Sequence, residues 1–315
     1  MTQPWIVGVG IVAIVLGLAY GVRNQISAYT NPYDQNISAR PKIWWVLDDS
    51  QLNSRQWLDW GARTTHEPNE PYLKICLRKA KAMTSDIFEL QPVIGRVAAH
   101  QVLSEAGCMI PPDADRAPPA LWLSWCRAAF LTHVGGLWLD GSVLPLGTGG
   151  DLHRRLVAKD VLAFGVDPDE GLSAVESTSP MAGPSAGWST KTHHPVWVGL
   201  ERDFRALIDS GDASWSAAEC RRAARFAWDR HAAGAITIDR KAEASRDQYG
   251  RRLEIDTLLG ESEWIGSTEG AQWLPLPDGR DKLERSSPWL WFLRLSESQI
   301  AESKFFWAKL ALKSN

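Results

Sequence analysis

Apolar and polar positions follow two periods along this chain, and the changes of period predict its elements. Ile43 to Leu47, IWWVL, is an unbroken apolar run of strand length that Asp48-Asp49-Ser50 ends. From Pro71 to Ala82 the apolar residues Leu73, Cys76, Leu77 and Ala80 recur at helical spacing, with proline in the first turn, where its missing N–H is harmless. Ile87-Phe88-Glu89-Leu90 reads as a second strand. Strand, helix, strand in this order predicts a parallel α/β sheet. Pro111, Pro112, Pro118 and Pro119 break the chain before a central helix that starts near Pro119. That helix carries Ala129, Phe130 and Val134 on its apolar side and Arg127 on its polar side. Gly135-Gly136 stops it, because glycine takes the left-handed turn of a helix end. Leu137-Trp138-Leu139 is then a short buried strand, and Asp140, Gly141 and Ser142 follow it directly.

Beyond this centre, Gly147 to Gly150 precede a helix from Asp151, and Val161 to Val166 is a further strand. Residues 171 to 187, rich in Gly, Ser and Pro, read as a mobile loop. Trp197 to Ile208 is helical by period. Ser216-Ala217-Ala218-Glu219 is a capping box opening a helix towards Ala232. The tail carries Trp289, Trp291, Phe292 and Leu293, a second capping box at Ser296 to Gln299, and then Phe305, Phe306, Trp307 and Leu310 among lysines. Such a segment either lies in a membrane interface or docks on its own domain.

The N-terminus has another pattern. Trp5 to Val22 holds no charged residue and as a helix spans about 27 Å, the length of a transmembrane anchor. A cleaved signal peptide is the rival reading, with Ala19-Tyr20-Gly21 as the cleavage site; the long run and the lack of a preceding basic residue favour the anchor. Ala13, Gly17 and Gly21 form a small-residue stripe through which two spans could pair as a homodimer. Arg23 follows the span and no basic residue precedes it, which favours a cytoplasmic domain. The sequon Asn36-Ile37-Ser38 matters only if the domain is lumenal. The expected organisation is an anchor at 1–23, a polar tether at 24–41, a domain at 42–285 and an aromatic helical segment at 286–315.

Composition narrows the function. Of 315 residues 44% are hydrophobic, enough for a sizeable core, and the net charge of −3 argues against a nucleic-acid binder. The 17 tryptophans are many, and Trp44, Trp45, Trp122 and Trp125 are expected in the core. The four cysteines, Cys76, Cys108, Cys126 and Cys220, form no CxxC, which argues against a zinc ribbon or a thioredoxin-type site and leaves a disulfide between distant cysteines open. Cys76 and Cys126 fall in apolar helical patterns and are expected to be buried thiols.

Asp140 is the leading candidate for chemistry, because a carboxylate at the carboxyl end of a strand lies where α/β sheets bind ligands. Asp48 and Asp49 end the first strand in the same way, as a nucleoside contact or as an ordinary turn. Asp167-Pro168-Asp169 is formally a DXD but suits a surface turn. Gly183-Pro184-Ser185-Ala186-Gly187 matches G-x-S-x-G without the strand and helix a hydrolase elbow needs. Gly147 to Gly150 lack the lysine of a P-loop. His193-His194 could add a metal or phosphate contact.

The spacing R-x3-L-x3-G-G-x-W-x-D-x-S-V, carried by Arg127, Leu131, Gly135, Gly136, Trp138, Asp140, Ser142 and Val143, resembles the donor-site region of capsular-polysaccharide-synthesis proteins and related DXD sugar transferases. The resemblance implies a GT-A-like, Rossmann-type mixed sheet flanked by helices, here preceded by one transmembrane helix. It further implies a nucleotide-sugar donor, a glycan or protein acceptor, retention of configuration, and Mn2+ or Mg2+ as metal. Asp140 would be the metal-binding and catalytic carboxylate. Arg127, Gly135, Gly136 and Ser142 would line the donor site, joined from the end of the first strand by Asp48 or Asp49. Ser124 and Ser142 depart from the pattern, standing where acids are common. Asn53-Ser54-Arg55, Asn69 to Leu73 and Trp291 to Ser296 also resemble membrane-anchored proteins of large DNA viruses. That resemblance names no activity; the alternative to a transferase is a non-catalytic membrane-anchored structural or interaction protein, with a virion as one setting, on a degenerate transferase fold.

Overall fold

The computed structural model describes residues 40–48, 71–84, 87–164, 186–211, 217–231, 235, 237–239, 255–261, 271–274 and 291–312. They belong to one compact unit, 40–315. Its strands are β1 (Lys42–Leu47), β2 (Glu89–Ile94), β3 (Gly136–Asp140), β4 (Leu144–Pro145), β5 (Val161–Phe164), β6 (Ala186–Ser189), β7 (Thr237–Asp239) and β8 (Trp273–Leu274). Six of them form one sheet in the order β2-β1-β3-β6-β5-β7, and β4 pairs with β8. Within the six, β6 runs antiparallel to both β3 and β5, and the other pairings are parallel. The sheet is therefore mixed.

The alternation along β1 and β3 divides the core. Trp44, Val46 and Trp138 face α2 (Arg96–Glu105), α3 (Pro119–His133), α5 (Pro195–Asp209) and α6 (Ala217–His231). Ile43, Trp45, Leu137 and Leu139 face α1 (Pro71–Thr84) and α4 (Gly149–Val157). Helix α3 is buried along nearly its whole circumference, as expected of a helix between a sheet and a second helical layer. Each such fully buried large side chain contributes roughly 1.5–3 kcal/mol by leaving water. On its outer side α1 meets the tail, where Tyr72, Leu73 and Cys76 pack against Phe292, Ile300, Phe306 and Trp307. Ring centroids of Tyr72 and Phe292 lie 5.5 Å apart, and those of Phe292 and Trp307 5.6 Å. The tail helices α7 (Glu297–Glu302) and α8 (Phe306–Leu312) thus dock on their own domain, and the Ser296–Gln299 capping box forms with both bonds.

The expected membrane anchor is not borne out. No helix among the described residues is long and apolar enough to cross a membrane. The longest have 15 residues, about 22 Å against a hydrocarbon core of about 30 Å. The transmembrane helix of the expected fold and the single-pass membrane placement are therefore corrected. The stretch 5–22 on which they rested lies outside the described residues, as do the tether up to 39 and the sequon.

Boundaries moved where a local rule was overridden. Strand β2 runs on through Pro92, which faces Trp45 on β1. A proline is tolerated there because β2 is an edge strand. The expected loop ends early, since Ala186 and Gly187 already belong to β6. Helix α2 carries no pattern signal: its N-cap Gly95 makes no side-chain bond, and only Arg96, Ala99 and Leu103 are buried.

Candidate functional site

From β1 the chain passes outward to β2 and returns on the other side of β1 to form β3. The carboxyl ends of β1 and β3 are therefore a topological switch point, the crevice at which open α/β sheets bind ligands. Asp48 follows β1 and Asp140 ends β3, where it lies opposite Val46.

Asp140 is 6% exposed. Trp138, two residues earlier and so on the same face, donates its indole N–H to Oδ1 at 2.7 Å. Arg127 of α3, 4% exposed, supplies the neighbouring positive charge. Burial pushes the Asp140 carboxyl up to about 6, against the opposing pull of Arg127 and of the Trp138 bond. Burial likewise lowers the Arg127 guanidinium, which Asp140 supports. The chain then stays close to β1: the Gly141 N–H donates to the Val46 carbonyl at 2.8 Å. Ser142 is half-buried beside α1, its carbonyl oxygen 3.9 Å from the Cys76 sulfur.

Asp48 has a different task. Arg96 holds it with two bonds, Nε to Oδ1 at 3.1 Å and Nη2 to Oδ2 at 3.0 Å. The Nη1 of the same guanidinium donates to the carbonyls of Ala114, Asp115 and Ala117, and its Cζ lies 5.1 Å from the centroid of the Trp122 ring. This is a buried clamp joining β1, α2 and the turn before α3. Asp49 lies outside the described residues.

Gly135 and Gly136 are not near Asp140. Gly135 precedes β3 and Gly136 begins it, about 13 Å along the strand from its end. Both have positive φ, 72° and 87°. A Cβ on Gly136 would lie 2.7 Å from the Lys42 carbonyl oxygen. The Gly135 carbonyl accepts the Trp44 indole N–H at 2.9 Å. Here the glycines serve the turn and the approach of β1. Thr148 caps α4, of which Gly149-Gly150 are the first turn. The 167–169 and 183–185 stretches lie outside the described residues.

A second cluster escaped the pattern. At the start of β3, Cys108, His133 and Glu201 bring one ligand atom each within 4.8 Å of one another. Among the described residues no other group of three metal-ligating side chains is so close. His133 Nε2 lies 3.0 Å from Glu201 Oε2, and Cys108 Sγ 3.8 Å from Glu201 Oε1. Arg205 donates to Glu201 Oε1 at 2.9 Å and reaches Cys108 Sγ at 3.7 Å. Burial works to raise the Glu201 carboxyl, but the bonds and charges of His133 and Arg205 outweigh it and lower it. Burial, with Glu201 nearby, pushes the Cys108 thiol up to about 12. His193 packs edge-on to His133, centroids 5.3 Å apart, and His194 caps α5. One signal could have found the cluster: Glu201 interrupts the apolar stripe Trp197, Leu200, Phe204, Ile208. The cysteines 76, 108 and 126 are free, and Cys76 and Cys126 are buried as expected. The chain matches no known protein family, and neither curated proteins nor solved structures offer a significant match.

Proposed function

We propose that the chain is a glycosyltransferase-like protein that takes a nucleotide-sugar donor at the carboxyl ends of β1 and β3 and passes the sugar to a glycan or protein acceptor. The observation that carries this reading is Asp140, an ionisable carboxylate kept at the switch point of a mixed sheet although burial disfavours its charge. Carboxylates whose charge is disfavoured by burial cluster at functional sites. In this reading the Asp140 carboxylate and the Ser142 hydroxyl meet the donor's polar groups, and the Arg127 charge on α3 supports Asp140. Mn2+ or Mg2+ bound with the donor would neutralise the leaving diphosphate. The protein's share is one carboxylate, already bonded by Trp138, and one hydroxyl. So small an oxygen set suits a hard cation held largely by the donor's own phosphates.

Charge compensation supports a second reading. Asp48 is already neutralised by Arg96, and Asp140 has Arg127 beside it. A non-catalytic structural or interaction protein on a degenerate transferase fold needs no more than that. Calorimetry of UDP and GDP with Mn2+, on the wild type and on Asp140→Asn, separates the two. The transferase reading expects one nucleotide to bind the wild type in the presence of metal, and the variant to bind at least tenfold more weakly. No binding to the wild type, or equal binding to both, sinks it.

A further inference from the structure

We infer that Cys108, His133 and Glu201 form a site for a zinc-class divalent transition metal at the end of the sheet opposite Asp140. A thiolate, an imidazole and a carboxylate are the ligand types that zinc combines, and the sulfur discriminates against Mg2+ and Ca2+. With its usual bond lengths, tetrahedral zinc sets its ligand atoms roughly 3.3–3.6 Å apart. His133 Nε2 lies 3.0 Å from Glu201 Oε2, and one ligand atom from each of the three residues lies within 4.8 Å of the others, so rotamer adjustments within the site bring them to that range.

The carboxylate is divided as a ligating one would be. Oε2 faces the His133 nitrogen, while Oε1 receives Arg205. Arg205 then orients the ligand from outside and its second contact, to Cys108 Sγ, strengthens once the sulfur is a thiolate. On binding, the ion displaces the Cys108 proton to solvent and takes the Nε2 lone pair of the neutral His133 tautomer protonated on Nδ1. No electron is transferred. The fourth position goes to His193 or to water. His193 has φ 58°, a left-handed backbone on a non-glycine residue, and its N–H donates to the Thr132 carbonyl at 2.6 Å. Such strain gathers at ligand sites. The three ligands come from the turn after α2, the end of α3 and the body of α5. The ion therefore ties together three segments of the helical layer, independently of any nucleotide at Asp140.

Cobalt reports the site directly, because a cobalt–thiolate bond gives a near-ultraviolet charge-transfer band. The full chain, treated with chelator and titrated with Co2+ alone, is expected to saturate that band at one equivalent and to lose it to Zn2+. Cys108→Ser is expected to abolish the band, and His133→Gln to weaken cobalt binding at least tenfold, with circular dichroism unchanged. A folded wild type that gives no band in excess Co2+ overturns the inference whatever the variants do. So does a band that persists unchanged in a folded Cys108→Ser or His133→Gln.

Discussion

Replacing Asp140 by Asn isolates one charge in the core. The asparagine keeps the shape and still offers Oδ1 to the Trp138 indole, so it mimics the protonated acid. In the wild type the carboxyl has been raised from 3.8 to about 6 by burial, with Arg127 and Trp138 only partly offsetting it. About two pH units at roughly 1.4 kcal/mol each amount to about 3 kcal/mol. The sign follows from proton binding. Between pH 3.8 and 6 the native state holds a proton that the unfolded state has lost, so stability from this group is full below 3.8 and is lost as pH rises through 6. Wild type and Asp140→Asn should therefore be close in stability near pH 4. At pH 7 the wild type should be less stable than the variant by about 3 kcal/mol, and the difference should hardly change between pH 7 and 8. Urea unfolding followed by tryptophan fluorescence at pH 4, 7 and 8 measures this, because groups common to both proteins cancel in the difference. A difference that stays flat, or one that favours the wild type as pH rises, would refute the reasoning. It would mean that Arg127 dominates and that Asp140 is an ordinary structural ion-pair partner.

Two further outcomes test the frame around the site. Arg96→Met strands the Asp48 charge, 2% exposed, and three carbonyls, and should cost about 3–5 kcal/mol in urea unfolding; a loss below 1 kcal/mol would show that Asp48 does not depend on the clamp. Gly136→Ala combines a left-handed φ of 87° with a Cβ 2.7 Å from a backbone oxygen, and should lower stability by about 3 kcal/mol or more, read as a fall in the denaturation midpoint; an unchanged midpoint would contradict the close approach of β1.

The periodic signal alone determined the elements whose burial is one-sided or complete. The run Ile43 to Leu47, the stripe Leu73, Cys76, Ala80 and the glycine stop before Leu137 all became elements within one or two residues of their expected bounds. The α/β class and the position of Asp140 at a strand end followed from the same pattern. It could not show α2, whose inward side is an arginine and two small contacts, nor the reversed strand β6, because direction is set by pairing partners and not by period. Nor could it show where the motif residues sit. Gly135 and Gly136 stand close to Asp140 in the chain, yet a strand separates them in space, and Asp48 is bound to Arg96, 48 residues away. Tertiary structure alone gathered Cys108, His133 and Glu201, because helices α3 and α5 and the turn after α2 meet only once the sheet has been covered. Local spacing records which side of an element is buried; which charges are buried against one another depends on contacts between segments far apart in the chain, and those form only on folding.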